Sequence, residues 1–368
     1  MKKKLVLVGG GHTHMMTLQN LDWFTDRGHE VTVIGQSRYH YYSGMGPGML
    51  GRDYSPEDVR FDTRKTVESK GSIFLESKAS DIDPESKHVI LENGEKVPYD
   101  VLSLNVGSHM DTGIVRENNK NLFTVKPIEN LHQAGLIIEK LALEQQVRVA
   151  VVGGGPSAAE ISGNIASLGQ KFCKNQVDVT VFAGNNFIKK FPENVKKRVV
   201  KLLERKGVKI DRSGYVDFIE DNWIVLDSGS STKAEVIFLA TGVRPPEMIQ
   251  RAGIPIGSEG GMAVNRYLQS EKYPEIFGGG DCIYFSEHPI DKVGVYAVRE
   301  NPILYHNLQI AINGGKFQSF TPQESYLLIL NLGGKIGVFQ KGMIAFSGKL
   351  AFLIKDYIDR KFIKSFQE

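Results

Sequence analysis

Two glycine clusters are the strongest chemical signal in the sequence. Gly9-x-Gly11-x-x-His14 and Gly153-x-Gly155-x-x-Ala158 each follow an apolar run and open a helical stretch. In such a turn the first glycine bends the chain sharply, the second lets backbone approach a pyrophosphate, and the third position lets helix and strand pack closely. The anion then sits at the helix N-terminus, where free N–H groups and the dipole favour negative charge. The first loop departs from this pattern at its third position, His14. That predicts a helix standing slightly off its strand, or a histidine turned away from it. Neither second strand ends in the acid that usually holds a ribose: Val33-Ile34 runs into Gly35-Gln36, and Val181-Phe182 into Ala183-Gly184. Discrimination at the 2′-hydroxyl is therefore not legible there. Lys189 and Lys190 suit a 2′-phosphate or are simply solvated.

A third cluster, Gly278-Gly279-Gly280-Asp281-Cys282, ends a strand in a carboxylate, where a flavin's ribityl hydroxyls would need an acceptor. The elements that must position these loops repeat. Lys4–Val8, a helical stretch to about Trp23 and a strand at 30–34 form one βαβ unit. Val147–Val152, a small-residue helix at 158–168 and Val177–Phe182 form a second. Short strands follow each unit, at Ile73–Glu76 and His88–Leu91 in the first half and at 207–210 and Trp223–Leu226 in the second. Each half closes with a returning apolar strand that ends in glycine, at Asn105-Val106-Gly107 and at Ala240-Thr241-Gly242. The fold class this predicts is α/β, with two doubly wound, Rossmann-like dinucleotide-binding domains.

At about 150 residues per domain, 368 residues make two to three domains. The net charge of +3 is too small for a nucleic-acid binder that relies on phosphate neutralisation. Its location says more. From Lys341 onward there are six basic and three acidic residues, so the tail carries the whole surplus and the rest balances at 39 against 39. Cys173 and Cys282 form no C-x-x-C or His/Cys cluster, so neither a disulfide scaffold nor a metal is expected. Lys2-Lys3-Lys4 before four apolar residues imitates a secretory signal but reads as a first strand. No stretch approaches the roughly 20 apolar residues of a membrane span. In the tail, Phe346, Leu350, Leu353, Ile354, Tyr357 and Ile358 repeat at i, i+3, i+4 as one stripe, and Phe362, Ile363 and Phe366 fall on another face. This predicts a kink or two short segments, lying on a membrane surface or packed on protein.

Together, Gly9 to Gly11, Asn105 to Gly107, Gly153 to Ala158 with Glu160, Ala240-Thr241-Gly242-Val243-Arg244-Pro245 and Gly280-Asp281 resemble the pyridine nucleotide-disulfide oxidoreductase flavoproteins over about residues 4–310. Within that family the chain is most similar to the branch of type II NADH:quinone dehydrogenases and sulfide:quinone reductases. Gly9-Gly10-Gly11-His12-Thr13-His14 and Tyr42-Ser43-Gly44-Met45-x-Pro47-Gly48 also resemble flavoproteins fused to selenide, water dikinase.

The resemblance implies FAD at Gly9, Gly11, His12, Gln36, Gly44, Asn105, Gly107, Asp281 and Ala297, in a discontinuous domain of residues 1–110 and 262–325. It implies NADH or NADPH at Gly153, Gly155, Ala158, Gly242 and Arg244, in residues 111–261. Residues 326–368 are then a membrane- or dimer-contact segment. Glu160 matches the family's helix glutamate near the flavin and quinone, and Tyr296, Arg299 and Glu300 would face the quinone. Lys126 matches a recurrent linker lysine of no assigned role. The C-x-x-x-x-C pair of the family's soluble branch is absent.

The expected reaction is electron transfer from NAD(P)H through FAD to a quinone-like acceptor, on the inner face of a membrane touched from the cytoplasm. The rivals are a sulfide- or selenide-handling reductase and a slow flavin-bearing sensor or assembly protein. Deleting 342–368 is expected to spare water-soluble acceptor activity and abolish membrane binding.

Overall fold

The computed structural model describes residues 1–116 and 120–367. Two five-stranded sheets dominate it. In the first the order is Ile276–Gly278, Val101–Leu104, Lys4–Val8, Glu30–Gly35 and Ile73–Glu76, every neighbour parallel. The second runs Leu122–Thr124, Val236–Leu239, Val147–Val152, Val177–Phe182 and Lys209–Asp211, again all parallel. The central strands are continuous apolar runs because helices and loops cover both faces of a parallel sheet. Leu5, Leu7, Val149 and Val151 are buried accordingly.

The two sheets differ at one edge. The second takes its edge strand from the segment that enters it, whereas the first takes Ile276–Gly278 from chain that has already built the second. The crossings between them, His109–Met110 and Val243–Arg244, pair antiparallel. Each sheet also carries a three-stranded antiparallel appendage, Ala79–Asp83 to Lys96–Pro98 and Val216–Glu220 to Ser231–Lys233.

Two sequence expectations are corrected. His14 does not turn away: it is wholly buried, its ring turned into the sheet. Its Nδ1 lies 2.6 Å from the Gly9 carbonyl and its Nε2 2.8 Å from Ser103 Oγ. Ser103 is small enough to leave room for the ring, and a 3-10 turn over His12–His14 opens the helix Met15–Gln19.

The tail is neither kinked nor split. A hairpin of Gly337–Lys341 and Ile344–Gly348 leads into one unbroken helix, Lys349–Gln367. Its buried face is Ala351, Phe352, Lys355, Asp359 and Ile363, while Leu350, Leu353, Tyr357 and Ile358 face outward. Most of the apolar stripe therefore points to solvent, and an ion pair points to the core. Phe352 and Ile363 share one hydrophobic cluster with Met45, Met49, Ala158 and Ile165, so the tail is built into the body of the protein.

Candidate functional site

Three glycine turns from distant parts of the chain converge at the C-terminal edge of the first sheet. Gly9 has φ +89°, and a Cβ there would lie 2.2 Å from the Asn105 carbonyl oxygen. A Cβ on Gly11 would strike the Asn105 amide, and one on Gly279 would lie 2.3 Å from Thr13 Cγ2. With its oxygen toward the 3-10 turn, the Asn105 amide accepts from Thr13 N at 2.7 Å and Thr13 Oγ1 at 3.0 Å. Ala297, buried near the start of helix Gly294–Asn313, sits over the Gly280 turn. Gly107, at φ +65°, ends the neighbouring loop with open space beside it. Gln36 is exposed beyond the second strand.

Asp281 is tied down from both sides. Lys126 Nζ donates to it at 2.5 Å and Ser108 Oγ at 2.7 Å. Burial alone would raise the Asp281 carboxyl, but Lys126 and then Ser108 hold it below the usual carboxylate value. Lys126 thereby acquires a role that its sequence position did not reveal. Glu300 is buried, accepts from Gly280 N at 2.6 Å and lies 3.3 Å from Thr13 Oγ1; burial lifts it to about 7. Its bond thus joins it to the glycine turns. Arg299 is exposed on the same helix, and Tyr296, half-buried, donates to the Gln323 carbonyl at 3.4 Å.

The second loop repeats the design. Gly153 has φ +141°, and a Cβ there would lie 2.1 Å from the Ala240 carbonyl oxygen. Gly155 faces open space and Ala158 is fully buried where helix meets strand. A cavity of about 280 Å³ lies beside the interdomain crossing, lined by Asp111, Gly113, Ile114, Thr241, Gly242 and Arg244 among others. Arg244 is paired with Asp111 at 2.9 Å. Lys190 reaches Asp291 at 3.0 Å, which draws it toward the helix Gly294–Asn313 side of the molecule.

A third cluster lies where helix Pro156–Phe172, the loop at 42–50 and the tail helix meet. Glu160 Oε1 accepts from Asn331 N at 2.8 Å. Burial raises its carboxyl to about 7, against the pull of Lys355. Lys355 Nζ donates to Asp359 Oδ2 at 2.7 Å and to the Gly44 carbonyl at 2.8 Å. Burial opposes the charge on Lys355, but Asp359 and Glu160 outweigh it and raise its pKa. Tyr42 Oη donates to Asp359 Oδ1 at 3.1 Å. Lys355 and Asp359 were missed as functional candidates. The available signal was a Lys and an Asp four residues apart inside an aromatic-rich helix.

The sequence profile of the family described as pyridine nucleotide-disulphide oxidoreductase matches residues 3–308. The chain belongs to this family. It is 22% identical over 347 residues to the NADH dehydrogenase-like protein YutJ of Bacillus subtilis, covering 91% of each chain. It is also 22% identical to the type II NADH:quinone oxidoreductase of Staphylococcus epidermidis, covering 98% of this chain and 95% of the relative. In fold it is similar to the sulfide:quinone oxidoreductase of Aquifex aeolicus, with a TM-score of 0.79 at 19% identity over 99% of this chain and 91% of that one. NDH2 of Plasmodium falciparum gives 0.77 at 16% identity over 98% of each.

As a member, the protein is an FAD-dependent pyridine-nucleotide oxidoreductase that works with NAD(P)H. The first cradle fits FAD: side chains are excluded where backbone must approach a diphosphate, Asp281 supplies a carboxylate, and two buried ring nitrogens, on His12 and His40, lack partners. Both cysteines are free. Cys282 is buried, its Sγ 3.3 Å from the Gly279 carbonyl oxygen, and burial pushes its thiol up to about 11. It is a packing residue and not a poised nucleophile.

Proposed function

We propose that the protein passes electrons from NAD(P)H through FAD to a quinone-like acceptor: NAD(P)H, a proton and quinone become NAD(P)⁺ and quinol. Bound FAD supplies the centre that takes the hydride and passes on its electron pair. The protein's part is to hold both nucleotides, keep water out and supply a proton. The observation that carries this reading is the half-buried Glu160, whose carboxyl accepts from Asn331 N and is raised to about 7 by burial against the pull of Lys355. An acid with a pKa near neutrality is suited to protonating a reduced quinone oxygen. Lys355 holds positive charge near the developing oxyanion.

Contacts also link this cluster to the FAD cradle. The His12 ring lies 5.1 Å from that of Tyr42, which bonds Asp359, which bonds Lys355. The NAD(P) side, with Gly153, Gly155, Ala158, Gly242 and Arg244, would present the donor from the second sheet.

The outward face of the tail supports a membrane-dissolved acceptor. Met343 is 98% exposed and Tyr357 69%, and with Ile344, Leu350, Leu353 and Ile358 they leave apolar surface on one helix and its preceding hairpin. Basic residues Lys341, Lys349, Lys361 and Lys364 flank it, which suits a helix lying on an anionic surface. No described helix is long and apolar enough to cross a membrane. We therefore assign the protein a peripheral position at the cytoplasmic face, with pairing of two copies through the same surface as the competing arrangement. The buried, high-pKa Cys282 does not favour a sulfide- or selenide-handling reaction.

The deciding experiment is stopped-flow reduction of the flavin by NADH, NADPH and sulfide in parallel, followed by reoxidation with a short-chain quinone. Rapid reduction by a nicotinamide and rapid reoxidation by quinone are expected. Reduction by sulfide alone, or slow reduction by every donor, would overturn the reading.

A further inference from the structure

Two histidines beside the first glycine turn carry a ring nitrogen with nothing to bond. Nε2 of His12 and Nε2 of His40 are both sealed from solvent and both unpartnered. The rings meet edge to face, 5.6 Å between centroids. His40 stands over the middle of the turn: a Cβ on Gly10 would lie 3.9 Å from His40 Cβ. His12 is the first residue of the 3-10 turn that the loop opens. Phe362 of the tail helix stacks on the His12 ring at 5.8 Å and Tyr42 packs beside it, so water is kept from this corner. A buried ring nitrogen left unbonded is costly unless a partner is supplied, and in the tautomer protonated at Nε2 that partner is an acceptor.

The backbone donors of the turn explain what that acceptor is. In an ordinary dinucleotide loop the N–H groups at the helix start face the anion. Here the Asn105 amide accepts from Thr13 N at 2.7 Å and approaches His14 N at 3.3 Å. Two of those groups are therefore turned inward. His14 has nothing to offer, since both its nitrogens are engaged by Gly9 and Ser103. Burial also holds the other two rings neutral, His12 at about 4 and His40 at about 3. A neutral imidazole protonated at Nε2 is a hydrogen-bond donor that needs no counter-ion.

We propose that His12 and His40 form a two-imidazole grip, donating from Nε2 to phosphate oxygens of the FAD diphosphate in place of the backbone donors that Asn105 has taken. The proposal rests on FAD occupying the first cradle. It adds His40, from the strand Tyr39–Tyr41, to the cofactor site. It also makes the tail helix, through Phe362, a wall of that site.

The test is titration of the flavin-free protein with FAD, followed by flavin fluorescence, and with riboflavin, which lacks the diphosphate. His12→Phe and His40→Phe should each raise the FAD Kd at least tenfold and leave riboflavin binding unchanged. His40→Gln, which keeps a donor, should recover most of the loss. A folded Phe variant with an FAD Kd within threefold of wild type would overturn the grip. The intact protein provides a second measurement that needs no variant to fold. With ¹⁵N-labelled histidine, two ring Nε2 signals should move on adding FAD and stay put with riboflavin; no response to FAD overturns the grip. Wild-type protein that takes up no FAD would instead overturn the cofactor assignment itself.

Discussion

The Nε2 of His14 lies 2.8 Å from the hydroxyl of Ser103, joining the first glycine turn to the returning strand of its own sheet. The third fingerprint position, where glycine normally lets helix and strand touch, is here a buried polar clasp. His14→Gly restores the usual fingerprint but leaves Ser103 Oγ and the Gly9 carbonyl without the ring and opens a void. A loss of about 2–4 kcal/mol is expected in urea unfolding. An unchanged midpoint would show that the clasp contributes nothing.

Buried rings and buried carboxyls oppose one another in acid. His12 and His14 are lowered to about 4 and His40 to about 3, chiefly by burial. Below the ordinary value of 6.5 the unfolded chain takes up protons that these rings refuse, so they make stability fall as pH falls. Glu160 and Glu300 are raised from 4.5 to about 7 by burial, so the folded state holds their protons longer. Their contribution is complete below 4.5 and is lost as pH rises through about 7. Replacing both by Gln removes the opposing effect. Between pH 4.5 and 6.5 the acid loss of the flavin-free protein should then steepen by about 1.4 kcal/mol per pH unit for each carboxyl removed. Urea midpoints across that range measure it.

Glu160→Gln separates the two half-reactions. Flavin reduction by NAD(P)H should stay within about twofold, while reoxidation by quinone slows about 100-fold, the lower end of what a positioned acid contributes. In the parent protein reoxidation should weaken as pH rises through about 7, because the protonated carboxyl is the competent form. Equal loss in both half-reactions would remove Glu160 from the proton step.

Lys355→Met leaves Asp359 buried without its partner, and a loss of about 3–5 kcal/mol is expected. Because Lys355 lowers the Glu160 pKa, its removal should also move the pH profile of reoxidation upward. In Lys355→Met with Asp359→Leu, stability should return and the profile should move only part of the way back, because Asp359 raises the Glu160 pKa less than Lys355 lowers it. A profile that does not move would make Lys355 purely structural.

Tail deletion and tail surface changes should now behave differently. Loss of 342–368 strips Phe352 and Ile363 from the core and Lys355 from the Gly44 carbonyl. It should therefore abolish FAD retention along with membrane binding, contrary to the sequence expectation that soluble activity survives. Leu353→Glu with Tyr357→Glu touches only the outward face and opposes both apolar burial and attraction to anionic lipid. That pair should keep soluble acceptor activity and fail to sediment with anionic vesicles. Retained sedimentation would disprove the membrane face, and conversion of a dimer to a monomer would assign it to pairing of copies.

The sequence alone determined what depends on neighbours along the chain. Apolar runs ending in Gly9 and Gly153 predict buried parallel strands, since a parallel sheet covered on both faces tolerates little else there. The glycines also mark where backbone must approach a diphosphate, and the steric argument needs no partner to be known. Tertiary structure decided what depends on residues distant in sequence. His14 was legible only as an exception until Ser103, 89 positions away, supplied its partner. Lys126 gained a role only when the fold brought Asp281 to it. The periodicity of the tail described its apolar stripe but not which side faced the protein. That side was set by Lys355 and Asp359, whose burial is tolerable only because Gly44 and Tyr42 satisfy them from the far end of the chain.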